Sequence, residues 1–302
     1  MPTLTPPTSS TSLIKMFLLG ISGTGKTWAY AYLGIPDIIP GWKPLKLRIF
    51  DFDGKDKAKE VIEAVLNLLL HKKEITKDQY LAAFANYDIC NCLERNLSVV
   101  TVREGNKTVK RYGFKGGLTT AWKDSVAQMD IWDREGWDAS HVLVTDSFKF
   151  AVDALANAKK ELLGVANKPL VWQQYNDVQS EIADFLRRLA PMDSHIIITA
   201  HQDPLEIYRD TGRKDEEGKP IQELIESLVL PISIGKSGRV QLPAGFNHML
   251  LCREEGSGSN TRRVISTVPA GGVITKTPFY GRCKSTYSID KGLVEYFKLG
   301  VS

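Results

Sequence analysis

Leu18 to Tyr30 read LLGISGTGKTWAY. The apolar run Lys15 to Leu19 (KMFLL) stops at Gly20, four residues intervene, and then come Gly25, Lys26 and Thr27. Gly20 to Thr27 match G-x-x-x-x-G-K-[ST] without substitution. A buried-strand pattern precedes the match and a helix pattern follows it, the context that this motif requires. Glycines in such a loop let backbone N–H groups face one concavity, and the next helix adds the positive end of its dipole. The spacing predicts a phosphate cradle made by Gly20, Ser22, Gly23, Thr24, Gly25, Lys26, Thr27 and Trp28. Lys26 then reaches the β- and γ-phosphates, and the Thr27 hydroxyl is a ligand for Mg²⁺.

Working outward, strands and helices alternate. Leu45 to Phe50 (LKLRIF) is a second strand, ending in Asp51-Phe52-Asp53-Gly54. Lys55 to His71 and Thr76 to Tyr87 read as helices, as do Thr119 to Glu135 and Lys168 to Leu189. His141 to Ser147 (HVLVTDS) and His195 to His201 (HIIITAH) are two further strands with nearly the same profile. Continuous apolar strands joined by helices mark a parallel sheet covered on both faces. Leu97 to Phe114 carry β-branched residues on both sides of Glu104-Gly105-Asn106, a hairpin signature. Asp203 to Lys219 read as a polar loop. From Gly245 on, HMLLCRE, TRRVISTV and a piece near Gly281 to Ser288 read as antiparallel additions to one sheet edge. The expected fold class is α/β, a mainly parallel sheet in one domain over residues 13–302. A disordered tail at 1–12 and a hairpin insertion at 97–115 complete it.

Composition is that of a globular chain, 43% hydrophobic and 25% charged over 302 residues. A net charge of +4 does not by itself call for nucleic acid. No apolar run approaches the ~20 residues of a membrane span, and MPTLTPPTSSTS lacks the pattern of a signal peptide. No membrane partner and a cytoplasmic location are expected. Cys90, Cys92, Cys252 and Cys283 lack zinc spacing and read as reduced thiols.

A phosphate loop needs a second acid for the metal at the end of a neighbouring strand. Asp146, after HVLVT, fits that place; its other reading is a helix N-cap. Asp51 and Asp53 end the LRIF strand. One of them is placed to orient or deprotonate a water, unless both only shape an Asp-Gly turn. His201, ending IIITA, is placed to touch a γ-phosphate; its other reading is an ordinary strand-end histidine.

The order of these parts resembles the RecA-type ATPase core, and more narrowly the phage-encoded single-strand-annealing (Sak-type) ATP-binding proteins, which are related to AAA-type ATPases. The likeness is carried by GISGTGKT, FDFD, VLVTDS and ITAH, and by LPISIGKSGRVQLPAGFNHML before an edge strand, over roughly Leu13 to Ser288. It implies ATP and Mg²⁺ as cofactors, with Lys26, Asp53 and His201 in catalysis and Thr27 and Asp146 at the metal. The resemblance implies Asp53 as the base and His201 as the γ-phosphate sensor. The family's acid is usually Glu, so Asp53 is a departure. The resemblance also implies a homo-oligomeric ring or filament, in which Arg282 or Lys284 of YGRCKS reaches a neighbour's phosphate.

Two segments are candidates for single-stranded DNA. Arg103, Lys107, Lys110, Arg111 and Lys115 face one acid, Glu104, an excess equal to the whole chain's +4. Tyr112 and Phe114 are interleaved for stacking on bases. The other reading is a charged hairpin that covers a sheet edge. The second segment is the loop after His201, with Lys236 and Arg239 of GKSGR; Asp203 to Lys219 hold more acids than bases, which weakens it. The expected function is a Mg-ATP-dependent ATPase in phage recombination or annealing, with a phage single-strand-binding protein as a further partner. The alternatives are a motor or loader in replication or packaging, and a nucleotide-gated DNA-binding module with little hydrolysis.

Overall fold

Every residue of β1 (Lys15–Leu19) is buried, as expected for a strand covered on both faces. The computed structural model describes residues 12–54, 56–104, 107–165, 168, 170–214, 220–231, 246–270 and 273–301. After β1 come α1 (Lys26–Ala31), β2 (Lys46–Asp51), α2 (Lys57–His71), α3 (Lys77–Phe84) and β3 (Tyr87–Asn91). The hairpin β4 (Leu97–Glu104) and β5 (Lys107–Phe114) leads to α4 (Ala121–Glu135), β6 (His141–Asp146), α5 (Phe148–Leu162), α6 (Trp172–Leu189) and β7 (His195–Ala200). The chain ends with β8 (Gln202–Lys214), β9 (Pro220–Pro231), β10 (His248–Glu255), β11 (Arg262–Ser266), β12 (Thr286–Ser288) and a helix, here α7 (Gly292–Val301).

The main sheet has eight strands in the order β12-β11-β10-β1-β7-β6-β2-β3. From β10 to β3 all neighbours are parallel; β11 and β12 are antiparallel. This is the expected α/β class with a RecA-like arrangement: β7 lies between the loop-bearing β1 and the acid-bearing β6. Alternate residues of one strand serve opposite cores. Met16 and Leu18 pack with Ala29, Tyr30, Ile62, Leu66 and Phe297. Phe17 and Leu19 pack with Trp132, Phe148, Val152, Val178 and Ile182. So α1, α2 and α7 cover one face and α4, α5 and α6 the other.

Three expectations are corrected. HMLLCRE is not an antiparallel edge addition: β10 pairs in parallel with β1, Met16 opposite His248, and is antiparallel only to β11 on its other side. Its apolar run is buried from His248 to Cys252, as an interior strand requires. Asp203 to Lys214 do not form a loop but lie in β8, which pairs antiparallel with β9. In register, Leu205 is opposite Leu228 and Ile207 opposite Glu226. The helix expected from Lys168 begins at Trp172. The tail to residue 11, residues 215–219, and Lys236 and Arg239 lie outside the described residues.

Candidate functional site: a phosphate loop beside a caged carboxylate

Because β1, β7, β6 and β2 are parallel neighbours, their C-terminal ends open on one edge of the sheet, where α/β folds bind ligands. The loop Gly20 to Thr27 leaves β1 there. Its turn rests on glycine: Gly25 has φ +89°, and a β-carbon on it would lie 3.0 Å from Ile289 Cγ1. A β-carbon on Gly20 would lie 2.7 Å from the Cys252 carbonyl oxygen, so β10 presses on the start of the loop. The Gly20 N–H donates to Ala200 O on β7 (3.2 Å).

Lys26 is buried and folds back into its own loop, its ammonium donating to Gly20 O (2.7 Å) and Ile21 O (3.0 Å). Burial lowers its pKa, while Cys252, Asp146 and Asp53 raise it. Thr24 is buried and donates to Ile21 O (2.9 Å). Ser22 and Gly23 are exposed. Trp28, half-buried, donates its indole N–H to Asp290 (3.0 Å), which ties α1 to the turn before α7.

Asp146, at the end of β6, is only 4% exposed and is caged by hydroxyls. Its Oδ2 accepts from Thr27 (2.7 Å) and Tyr30 (2.8 Å), and its Oδ1 accepts from Thr199 (2.5 Å). It is not the side-chain cap of α5, which has none; Ser147 holds that place. Burial and the Asp146 charge raise the Tyr30 pKa well above that of a free phenol, so Tyr30 stays a donor. The structure thus joins Thr27 to Asp146 and adds two partners that the sequence reading missed. Tyr30 stands one helical turn after Thr27, and Thr199 sits inside the strand that ends in His201; those spacings were their only signals.

Asp51 and Asp53 divide the work between them. Asp51 is fully buried and accepts from Ala58 N (2.8 Å) and Asp53 N (3.1 Å), so it closes the first turn of α2. Burial pushes its pKa up to about 6. Asp53 is partly exposed and pairs with Lys57 (2.6 Å). His201 is half-buried; burial, then Lys26, lowers its pKa, and Asp53 and Asp146 act in the opposite direction. Lys26, Asp146, Asp53 and His201 therefore lie close enough for their charges to act on one another.

The remaining candidates lie elsewhere. Lys284 pairs with Glu295 (2.6 Å), and Arg282 stacks on the Phe279 ring at 5.2 Å. In the β4–β5 hairpin, Thr101 is opposite Lys110, Val100 opposite Arg111, Val99 opposite Tyr112 and Glu104 opposite Lys107. Alternate register positions fall on opposite faces of a ribbon, so the basic positions divide between the two. Lys110 and Lys115 are exposed. The cysteines are free, and among the described residues no group of His, Cys, Asp and Glu is assembled as a metal site. Also among the described residues, no helix is long and apolar enough to cross a membrane.

The donor set fits a hard divalent cation. One hydroxyl and one carboxylate already lie side by side, and Mg²⁺ takes its other ligands from phosphate oxygens and water. The glycine loop and the exchangeable Lys26 ammonium fit a polyphosphate. The fold and this loop define a P-loop protein of the RecA-like α/β class. No protein family matches the chain, and no curated protein does. Among solved structures it is similar to a KaiC-like protein of the archaeon Pyrococcus horikoshii, at 11% identity and a TM-score of 0.41, over 91% of this chain and 84% of that one. The class assignment rests on the strand order and the loop, not on that likeness.

Proposed function

We propose that the chain is a Mg²⁺-ATP-dependent RecA-like ATPase that binds single-stranded DNA in phage recombination or annealing, working as a ring or filament. The observation that carries the reading is the convergence of the loop, Asp146, Asp53 and His201 on one edge of the sheet. Lys26 leaves its loop carbonyls for the β- and γ-phosphates. Thr27 and Asp146 would hold Mg²⁺, which would offset phosphate charge when bound. Asp53 orients a water and takes its proton as the water oxygen bonds to the γ-phosphorus. The bridging P–O bond breaks, and ADP and inorganic phosphate leave. His201, beginning the link from β7 to the β8–β9 ribbon, is placed to pass the state of the phosphate to that ribbon. The basic β4–β5 hairpin is the DNA-binding candidate.

The test is ATP hydrolysis by the purified protein with and without single-stranded DNA, beside Lys26→Ala. DNA-stimulated turnover that Lys26→Ala abolishes supports the whole reading. Turnover without any response to DNA keeps the ATPase and removes the DNA role. One observation favours a second reading, a nucleotide-gated binding module with little hydrolysis: the Asp53 carboxylate is already engaged by Lys57. Single-turnover hydrolysis separates the two.

A further inference from the structure

Lys57 is the first residue of α2, and its ammonium lies 2.6 Å from Asp53 Oδ2. Two features set this pair apart from an ordinary surface contact. Asp53 stands before the helix, at the end of the strand link, so the pair does not belong to a helical face. A cation in the first turn also opposes the helix dipole, so the dipole of α2 does not favour lysine there. The pair lies inside the field of the phosphate loop. Asp146 and Asp51 help to raise the Lys57 pKa, after Asp53, and the Lys57 charge in turn lowers those of Lys26 and His201. Lys26 and Lys57 are each tied to protein acceptors, Lys26 to two carbonyls and Lys57 to one carboxylate. Lys57 is half-exposed and carried on a long flexible stem, so it is free to change partner.

We propose that Lys57 is a receptor for the terminal phosphate of a nucleoside triphosphate, and that binding it releases the Asp53 carboxylate. Resting on the nucleotide-site reading above, this assigns the site a preference for triphosphate over diphosphate. It also makes Asp53 available only while a triphosphate is bound. Without a terminal phosphate, Lys57 returns to Asp53 and holds it.

The experiment compares binding of a fluorescent, non-hydrolysable ATP analogue and of fluorescent ADP, each with Mg²⁺, to the wild type, Lys57→Met, Lys57→Arg and Asp53→Asn. Lys57→Met is expected to weaken the triphosphate about ten- to a hundredfold, the value of one charge-assisted hydrogen bond, and to leave ADP within about twofold. Lys57→Arg restores most of the difference. Asp53→Asn tightens the triphosphate, because Lys57 no longer has a competing carboxylate. Equal loss for both nucleotides, or no loss for either, overturns the proposal and leaves the nucleotide site standing. A wild type that binds neither nucleotide overturns both the site reading and this one. Circular dichroism of each variant checks the fold, which the exposed Lys57 side chain does not support.

Discussion

At the residue scale, Asp146 explains why a phosphate loop and a distant strand end behave as one site. It accepts from three hydroxyls, of which only Thr27 belongs to the loop. If Thr27 turned to a metal, Tyr30 and Thr199 would still hold the carboxylate in place. Tyr30→Phe removes a buried hydrogen bond to a charged acceptor, with an expected loss of about 1.5–3 kcal/mol of stability in urea denaturation. Hydrolysis by this variant is expected to need more Mg²⁺ for half-maximal rate. Thr199→Val is expected to act in the same way, and the double variant to miss additivity by more than about 0.5 kcal/mol, because both partners grip one carboxylate. Additive losses with an unchanged Mg²⁺ requirement would separate these hydroxyls from the metal site. Gly25→Ala tests the loop itself. Its left-handed backbone disfavours a β-carbon by about 1–2 kcal/mol, and Ile289 crowds the position. A lowered melting temperature together with weaker nucleotide binding is expected; a neutral result in both would mean the loop does not hold this shape.

At the element scale, the β4–β5 hairpin carries the DNA claim. If it neutralises phosphates, the affinity for single-stranded DNA falls with salt, with a log–log slope of roughly −0.7 per contact. Replacing Lys107, Lys110, Arg111 and Lys115 with Gln is expected to flatten that slope by about 2–3, measured by fluorescence anisotropy across a salt series. A parallel loss of affinity with unchanged slope points to lost shape and not to lost phosphate contacts. Which elements the sequence revealed follows from their burial. β1, β6 and β7 lie inside the sheet and read as near-continuous apolar runs, and β2 lies inside it with Arg48 interrupting its run. β3 (YDICN) was not seen as a strand because it is the half-exposed edge of the sheet and follows α3 after only two residues. α7 was missed because Gly292 and Gly300 break its helical look. Both glycines are packing sites: a β-carbon at Gly300 would lie 3.0 Å from Phe279, and one at Gly292 would strike Tyr287. The phosphate loop and Asp146 were readable because each sits at a strand end in a fixed motif. Tyr30, Thr199 and Lys57 were not, because what they contribute is a contact across space that no spacing records.

At the scale of the whole molecule, stability should turn with pH on buried histidines far from the phosphate loop. His195 accepts from Ile14 N through Nδ1 (3.0 Å), and His248 pairs with the Tyr296 hydroxyl (2.6 Å). Burial holds their pKa values at about 4 and about 3, against about 6.5 in the unfolded chain. As pH falls below 6.5 the unfolded chain takes up protons that the folded chain refuses, so the fold loses stability. Each histidine contributes up to about 1.4 kcal/mol per pH unit. Asp51 works in the opposite direction. Held at about 6 when folded and near 3.9 when unfolded, it binds its proton first in the folded state and favours the fold as pH drops below 6. Two histidines against one carboxylate leave a net loss on acidification from pH 6.5 to 5. The carboxylates held low, Asp138 and Glu161 at about 2, enter only below that window. The melting temperature is therefore expected to fall between pH 7 and 5. In the double variant His195→Asn, His248→Asn, whose amides cannot be protonated in this range, the loss should shrink, leaving His201 against Asp51 and Glu94, whose pKa burial also raises. Asp51→Asn in that background should make the melting temperature fall more steeply between pH 6 and 5, since the stabilising proton uptake of Asp51 is gone. A parent protein whose melting temperature does not change from pH 7 to 5 would place these histidines in contact with water, against the packing of β7 and β10 around them.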